Sequence, residues 1–598
     1  MINRECFDVF SVKAGFCINA NPEGLAGPAR LLAFVFLSLC LSTTALAQSQ
    51  LGTGIDGEAA GDSSGYSASL SSDGNRLAIG AVGNDGNGDR SGHVRVYQWS
   101  NTTWEQLGSD IDGEAVRDTS GRSVSLSSDG NRLAIGANWN DGNGEDSGHV
   151  RIYQWTGTAW VQLGDDIDGE ATFNESGSAL SLSGDGNRVA IGARWNWSNN
   201  RQAGHVRVYQ WSNSAWVQLG LDINGDESED QFGRRVSLSS DGNRLAVGAP
   251  YANESLTLLS NGPPTTKGGL YGAGLVRVYQ WSDSVWAQVG NDIDGEALGD
   301  RLGEAVSLSA DGNRMAIGIP SSSGYERSTG RVRVFQWFGS AWTPLGIEIV
   351  GEAVGDQFGR HVSLSQDGNR LAIGTPFNDV NGEYSGHVRV YQWSDEDWAQ
   401  LGVDIDGESA GDWSGSVSMS SDGNRLAVGA QGYDSNGEDS GRVRVYDLSM
   451  FNAFRINAGL NDAWYNPETS GQGFFITVFP EIGYVSLAWF TYDTEFPPID
   501  ATANLGDPGH RWLTAVGPID GNQALMNIEM TSGGLFDTAS EITRTDPPGS
   551  DGTILLTFDS CNSGTIEYDI PSINRHGIVP IKRVANDNIV LCEALSKD

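Results

Sequence analysis

Four loops of this chain carry oxygen-bearing side chains at a spacing that could hold a hard cation. They read "NDGNGDRSG" (84–92), "NDGNGEDSG" (140–148), "NDVNGEYSG" (378–386) and "YDSNGEDSG" (433–441), and each contains D-x-N-G-[D/E]. Carboxylate and amide oxygens gathered around a glycine turn suit Ca²⁺, which takes oxygen ligands in a flexible shell. The candidate ligands are Asp85, Asn87 and Asp89; Asp141, Asn143 and Glu145; Asp379, Asn381 and Glu383; and Asp434, Asn436 and Glu438. None of the loops has a full calcium-loop pattern. The competing reading is a set of Asx-type turns with solvated charges.

Two other patterns bear on catalysis. "GESAG" (407–411) and "GDSSG" (61–65) match G-x-S-x-G, the nucleophile elbow of serine hydrolases. Ser409, however, stands where Ala59, Ala115, Ala171, Ala297 and Ala353 stand in parallel stretches, and the strand–elbow–helix context is missing. His93, His149, His205 and His387 share one position with Arg331 and Arg442, and read as repeat positions, not as ligands. No catalytic residue is assigned.

A long internal repeat must position these residues. D-G-N-R begins at Asp73, Asp129, Asp185, Asp241, Asp311, Asp367 and Asp422, in steps of 56, 56, 56, 70, 56 and 55 residues. That period suggests a propeller or solenoid. In the second unit "RSVSLSS" (122–128), "RLAIGAN" (132–138), "HVRIYQW" (149–155) and "WVQLGDDI" (160–167) read as four strands. Asp-Gly-Asn makes a tight hairpin between the first two. A W-x4-W pair frames the hairpin between the last two, from Trp99/Trp104 to Trp393/Trp398. Such pairs are expected to pack across the hairpin, each contributing about 0.2–1 kcal/mol.

Seven four-stranded units predict a seven-bladed β-propeller. The seventh unit ends after "GRVRVYDLS" (441–449) without its fourth strand, while "QLGTGIDGE" (50–58) supplies that strand at the other end of the chain. The N-terminal segment is therefore expected to close the ring. Loops joining second to third strands should share a face with the connections between units, and that face should be strongly acidic. The insertion at 251–272 belongs to the same loops, where recognition is usually carried.

"QFGRRVSLSSDGNRLAVGAP" (231–250) and "QFGRHVSLSQDGNRLAIGTP" (357–376) resemble the FG-GAP repeats of integrin α-subunit propellers, and the resemblance covers about residues 50–449. It implies a propeller of adhesive or ligand-binding type, in some relatives calcium-binding. In that family calcium sits between the first two strands of a blade. Here that connection is S-x-D-G-N with a single carboxylate, so that site does not carry over.

The 598 residues carry a formal charge of −39, which argues against nucleic acid as a partner. Arg30, the apolar stretch 31–41 and an A-x-A site at Ala45–Ala47 predict a signal peptide over 1–47, cleaved before Gln48. A secreted or extracytoplasmic protein, periplasmic or at the cell surface, is expected, without membrane insertion and as a monomer. The residues preceding Arg30 make a long n-region, so the true start can lie downstream; Cys40 follows Leu39, a poor context for lipidation. Cys561 and Cys592 then remain and are expected to form one disulfide, tying two late strands together.

Beyond Ser449 the period stops. Residues 451–598 alternate apolar and polar positions between Gly, Pro and Asp, as in a compact all-β domain. This part resembles a C-terminal module of secreted proteobacterial proteins. Trp464, Tyr465, Trp489, Phe490 and Trp512 serve either its core or a sugar-stacking surface. The whole chain thus reads as all-β: a seven-bladed propeller over 48–450 followed by a small β-domain. The expected function is non-enzymatic binding or adhesion to a protein or glycan through the acidic face. The alternatives are an extracellular enzyme acting on polysaccharides or esters, and a scaffold for the C-terminal domain.

Overall fold

In the computed structural model of the chain, the described residues are 48–196, 202–252, 272–321, 329–394, 397–452, 456–468, 473–492, 510–529, 531–532, 543–544, 551–571, 574–585 and 588–595. The expected signal peptide and most of the 251–272 insertion lie outside them. Seven antiparallel sheets of like construction are followed by a closed eight-stranded barrel.

The second blade shows the plan. Ser123–Leu126, Arg132–Ala137, His149–Trp155 and Trp160–Gln162 pair in order, and Ile167–Asp168 returns to pair with His149–Trp155. The expected fourth strand is therefore split. Its register passes from Tyr153↔Gln162 to Val150↔Ile167, so five steps on one strand face three on the other. The two extra residues form a bulge that turns through Gly164 at φ +83°.

The third strand does not have one wet side. Val150 and Ile152 pack with Leu180, Val189 and Ile191 of the next blade. Tyr153, on the opposite side, packs with Ala78, Val94 and Val96 of the preceding one. Each blade is covered on both faces, so alternation separates one neighbour from the other, and seven such inter-blade cores run around the ring. The last joins Leu77, Ile79 and Tyr97 to Ala427, Val443 and Val445.

The D-G-N-R phrase is the clasp between blades. Asp129 accepts hydrogen bonds from Ser127 Oγ at 2.6 Å and from the Asn131 backbone at 2.9 Å, which sets the hairpin. Arg76 of the preceding blade donates to Gly130 O at 2.9 Å and to Asn131 Oδ1. The same contact returns around the ring until Arg425 donates to Gly74 O and Asn75 Oδ1. Beside it, backbone N–H groups donate in sequence from Ser72 to Ser128, Gly184, Ser240, Ala310, Gln366, Ser421 and back to Ser72, at 2.7–2.9 Å. This cyclic chain of hydrogen bonds requires a closed ring.

Closure also uses the N-terminal segment. Ser49↔Asp447, Gln50↔Tyr446, Ile55↔Val443 and Asp56↔Arg442 pair antiparallel, completing the seventh blade. Close packing between blades constrains one glycine per repeat: a Cβ on Gly136 would lie 2.2 Å from the Gly177 carbonyl oxygen.

The barrel closes where Trp464 pairs with Arg583. Phe474, Ile476 and Val478 point inward while Phe475 and Phe479 are exposed, the period-two pattern of a barrel wall. Trp464 and Trp489 belong to the core, whereas Tyr465 and Phe490 are exposed; the Trp512 side chain lies outside the described residues. The disulfide joins Cys561, in a hairpin turn, to Cys592 on the short helix Ile589–Leu595. It ties a turn to a helix instead of two late strands, because the chain turns helical after the last barrel strand and packs against the segment Ala458–Leu460.

Candidate functional site at the loop face and channel mouth

The acidic loops share one face with the connections between blades, as hydrogen bonds between them show. Asn87 Nδ2 donates to Gly113 O at 2.7 Å, and Arg117 N–H donates to Asp89 O at 2.8 Å. Asn143, Asn381 and Asn436 make the same bond to Gly169, Gly407 and Gly57. Asp85, Asp141, Asp379 and Asp434 each accept, through Oδ1, the backbone N–H five residues on, at 2.8–2.9 Å. The aspartate thus sets the turn and the asparagine amide latches it to the next connection. Asp89, Glu145, Glu383 and Glu438 occupy the loop rim. In the short hairpins, by contrast, the single carboxylate is saturated: Asp73 accepts from Ser71 Oγ, Asn75 N and Asn75 Nδ2.

The two G-x-S-x-G serines sit in the connections. Ser409 N–H donates to Asp412 Oδ2 at 2.7 Å, the bond that Ala59 makes to Asp62. Ser63 has a positive φ of 53°, but Thr119, Glu175, Gln231, Arg301, Gln357 and Trp413 at the same repeat position have 51–56°. This left-handed residue belongs to the blade connection in all seven repeats, whatever its side chain.

The first strands of successive blades contact one another around the ring and line its central channel. At one end a cavity of about 370 Å³ is bordered by Tyr66, Arg122, Arg234, Arg235, Arg360 and His361. Phe377, from a second-to-third-strand loop, and Trp413, from a connection, also border it, so it opens on the acidic loop face. The other end is bordered by serines, small or apolar residues and Gln366, with no charged side chain among the described residues.

The arginines are only partly compensated. Arg234 donates through Nε and Nη2 to Glu304 Oε1 at 3.0 and 2.8 Å, and Arg194 pairs with Glu175. Arg122 instead lies 4.7 Å over the Tyr66 ring, and Arg360 lies over Phe377. Among the described residues Arg235 donates to the Arg234 carbonyl alone. None of these three has a carboxylate partner among the described residues. Five guanidinium groups against two carboxylates leave three positive charges at the floor of an acidic face.

Titration reflects the crowding. Burial, together with the neighbouring Arg194, Arg235 and Arg234, pushes Arg122 down to about 9. Burial and the neighbouring Arg234, Arg360 and Arg194 lower Arg235 to about 10 despite Glu304. His361, buried beside Arg235 and Arg360, falls to about 3 and is neutral at ordinary pH. For Glu304 burial acts upward, but Arg234, Arg360 and Arg235 together outweigh it and hold the carboxyl at about 2. Guanidinium groups without a carboxylate partner in a concave, partly desolvated site suit carboxylate, sulfate or phosphate oxygens.

Sequence reading placed binding on the loop face but missed these residues. The signal lies in two adjacent columns of the repeat, directly after the F-G, S-G or L-G glycine: Tyr66, Arg122, Ser178, Arg234, Glu304 and Arg360 in the first, and Ser67, Ser123, Ala179, Arg235, Ala305 and His361 in the second. The glycine before them and the apolar and serine columns after them are nearly uniform, whereas these two vary and carry charge.

The FG-GAP repeat family model matches residues 110–153. No curated protein matches the chain. Among solved structures, a candidate 6-phosphogluconolactonase of Bacteroides uniformis ATCC 8492 is 12% identical, with 57% of this chain and 85% of that one covered and a TM-score of 0.40. Another from Bacteroides fragilis NCTC 9343 is 10% identical over 58% and 85%, with a TM-score of 0.37. U3-55K is 13% identical over 67% and 98%, with a TM-score of 0.38. Likeness at this level carries no argument about activity. The family match and the seven sheets together identify an FG-GAP repeat within a seven-bladed β-propeller.

Proposed function

We propose that this is a non-enzymatic, extracytoplasmic binding protein whose propeller receives an anionic group of a protein or glycan ligand at the channel mouth. The acidic loops frame that mouth and disfavour macromolecular ligands whose whole surface is anionic, while leaving the mouth open to small anions. The observation that carries the reading is the set of three guanidinium groups, Arg122, Arg235 and Arg360, that border one cavity without carboxylate partners among the described residues. A bound anion would relieve their mutual repulsion and stabilise the native state by mass action.

The test is thermal unfolding of the purified protein in millimolar sulfate or citrate, against sodium chloride at equal ionic strength. The wild-type midpoint should rise with either anion, and the rise should vanish in an Arg122→Gln, Arg235→Gln, Arg360→Gln variant. An equal response to chloride, or an anion effect that survives the triple substitution, would overturn the reading.

A further inference from the structure

Blades one to three repeat a second constellation, separate from both the channel and the D-x-N-G-[D/E] turns. A histidine opens the third strand, a glutamate comes from the preceding connection, and an aspartate comes from the bulge that splits the fourth strand. The sets are Glu58, His93 and Asp110; Glu114, His149 and Asp166; and Glu170, His205 and Asp222. Histidine Nδ1 stands 4.0 and 3.9 Å from the two carboxylates in the first set, 3.9 and 3.8 Å in the second, and 3.8 and 3.9 Å in the third. These separations are too long for hydrogen bonds. The histidines are 1% exposed, and among the described residues His205 Nδ1 is buried without a hydrogen-bond partner while aimed between the carboxylates; in His93 and His149 the buried nitrogen without a partner is Nε2.

The other blades supply an internal comparison. In the fifth, Arg331 replaces the histidine and its guanidinium lies 3.7 Å from Glu296 and 3.5 Å from Glu348, at the same two acidic positions. In the seventh, Arg442 lies between Asp56 and Glu408, and Gly54 replaces the bulge aspartate, with Arg442 atoms 2.8 Å from where its Cβ would be. In the fourth, Leu275 replaces the histidine, and Arg277 bonds both Asp226 and Asp292. In the sixth, His387 is kept but Arg389 takes Glu352 and Asp404, each at 2.7 Å. A guanidinium therefore joins the two carboxylates in blades four to six, and in the seventh, where the bulge carboxylate is absent, it joins the glutamate to Asp56 instead. In blades one to three the corresponding arginines, Arg95, Arg151 and Arg207, donate to the Asp56, Asp112 and Asp168 carbonyls and, of the two carboxylates, reach the glutamate alone, at 3.4–3.6 Å through Oε1. Oε2 faces the imidazole, and in the third set it also accepts from Asn196 Nδ2 at 3.3 Å.

We propose that each of these three sets binds one divalent cation of the zinc type, through histidine Nδ1 and one oxygen from each carboxylate. Imidazole nitrogen with carboxylate oxygen is a donor set for zinc, not for calcium. Two bonds of about 2.0–2.2 Å hold ligand atoms about 3.4 Å apart at a tetrahedral angle, so zinc would draw the carboxylate oxygens about 0.5 Å closer to the imidazole. Three protein ligands with partly exposed carboxylates leave a coordination position for water or for a group on a ligand.

The experiment is calorimetric titration of the chelator-stripped, full-length protein with zinc chloride, with calcium and magnesium chlorides as controls. Uptake of three zinc ions per chain is expected, falling to two in His205→Leu and to none in His93→Leu, His149→Leu, His205→Leu. Leucine already occupies this position as Leu275, so the substitution suits the fold. Asp110→Asn, Asp166→Asn, Asp222→Asn alters only partly exposed residues and should also abolish uptake. Absence of zinc uptake, or a stoichiometry unchanged by both sets of substitutions, would falsify the assignment.

Discussion

Replacing Glu304 by glutamine probes the channel mouth most directly. The carboxylate is 1% exposed and takes two hydrogen bonds from Arg234, with Arg235 and Arg360 nearby. Holding a glutamate at about 2 instead of its ordinary 4.5 corresponds to about 3 kcal/mol in favour of the charged form. Stranding Arg234 without its buried partner costs about 3–5 kcal/mol by a separate route. Glu304→Gln should therefore lose about 3 kcal/mol of propeller stability at neutral pH. The folded-state value is depressed, so the wild-type contribution is fully present above about pH 4.5 and fades as pH falls toward 2. The variant should lack that part of the acid dependence. Urea denaturation followed by tryptophan fluorescence, at neutral pH and in acid, reads both effects. Sulfate should restore part of the loss by supplying a negative charge to the same guanidinium groups. A variant as stable as wild type at neutral pH, with unchanged acid dependence, would refute the electrostatic account of the channel.

Deleting residues 48–56 removes the strands that pair with Arg442–Asp447 and exposes the edge of the seventh blade; unfolding should begin there, seen as faster amide exchange in 442–447 than in the equivalent 149–154 of blade two. Calcium should raise the thermal midpoint, relative to EDTA and magnesium, if the D-x-N-G-[D/E] loops bind it; that rise should disappear in an Asp85→Asn, Asp141→Asn, Asp379→Asn, Asp434→Asn variant, and no calcium response at all leaves the four loops as hydrogen-bonded turns.

Most of the architecture was legible because its causes are local and repeated. D-G-N-R marks seven hairpins whose aspartate, glycine and asparagine each have a fixed task. The missing fourth strand of the last unit and its copy at 50–58 announced ring closure, since a strand without a partner must find one. The split of the fourth strand was not legible: its two extra residues leave the apolar alternation of "WVQLGDDI" looking continuous. The cysteine pairing of Cys561 with Cys592 could be counted from the sequence, but not that the second cysteine sits on a helix.

The sites divide along the same line. Sequence by itself determined the blade count, the closure and the acidity of one face, because hairpin chemistry and strand alternation act between near neighbours. Only tertiary structure decided that Arg122, Arg235 and Arg360, from three different blades, border one cavity, and that Glu58, His93 and Asp110 face one another. Those groups lie far apart in the chain and come together because ring closure places the first strands around one axis, and because the bulge and the blade connection turn two carboxylates toward a buried imidazole. The physical reason is that charge interactions depend on distance in space, which an unfolded repeat does not specify.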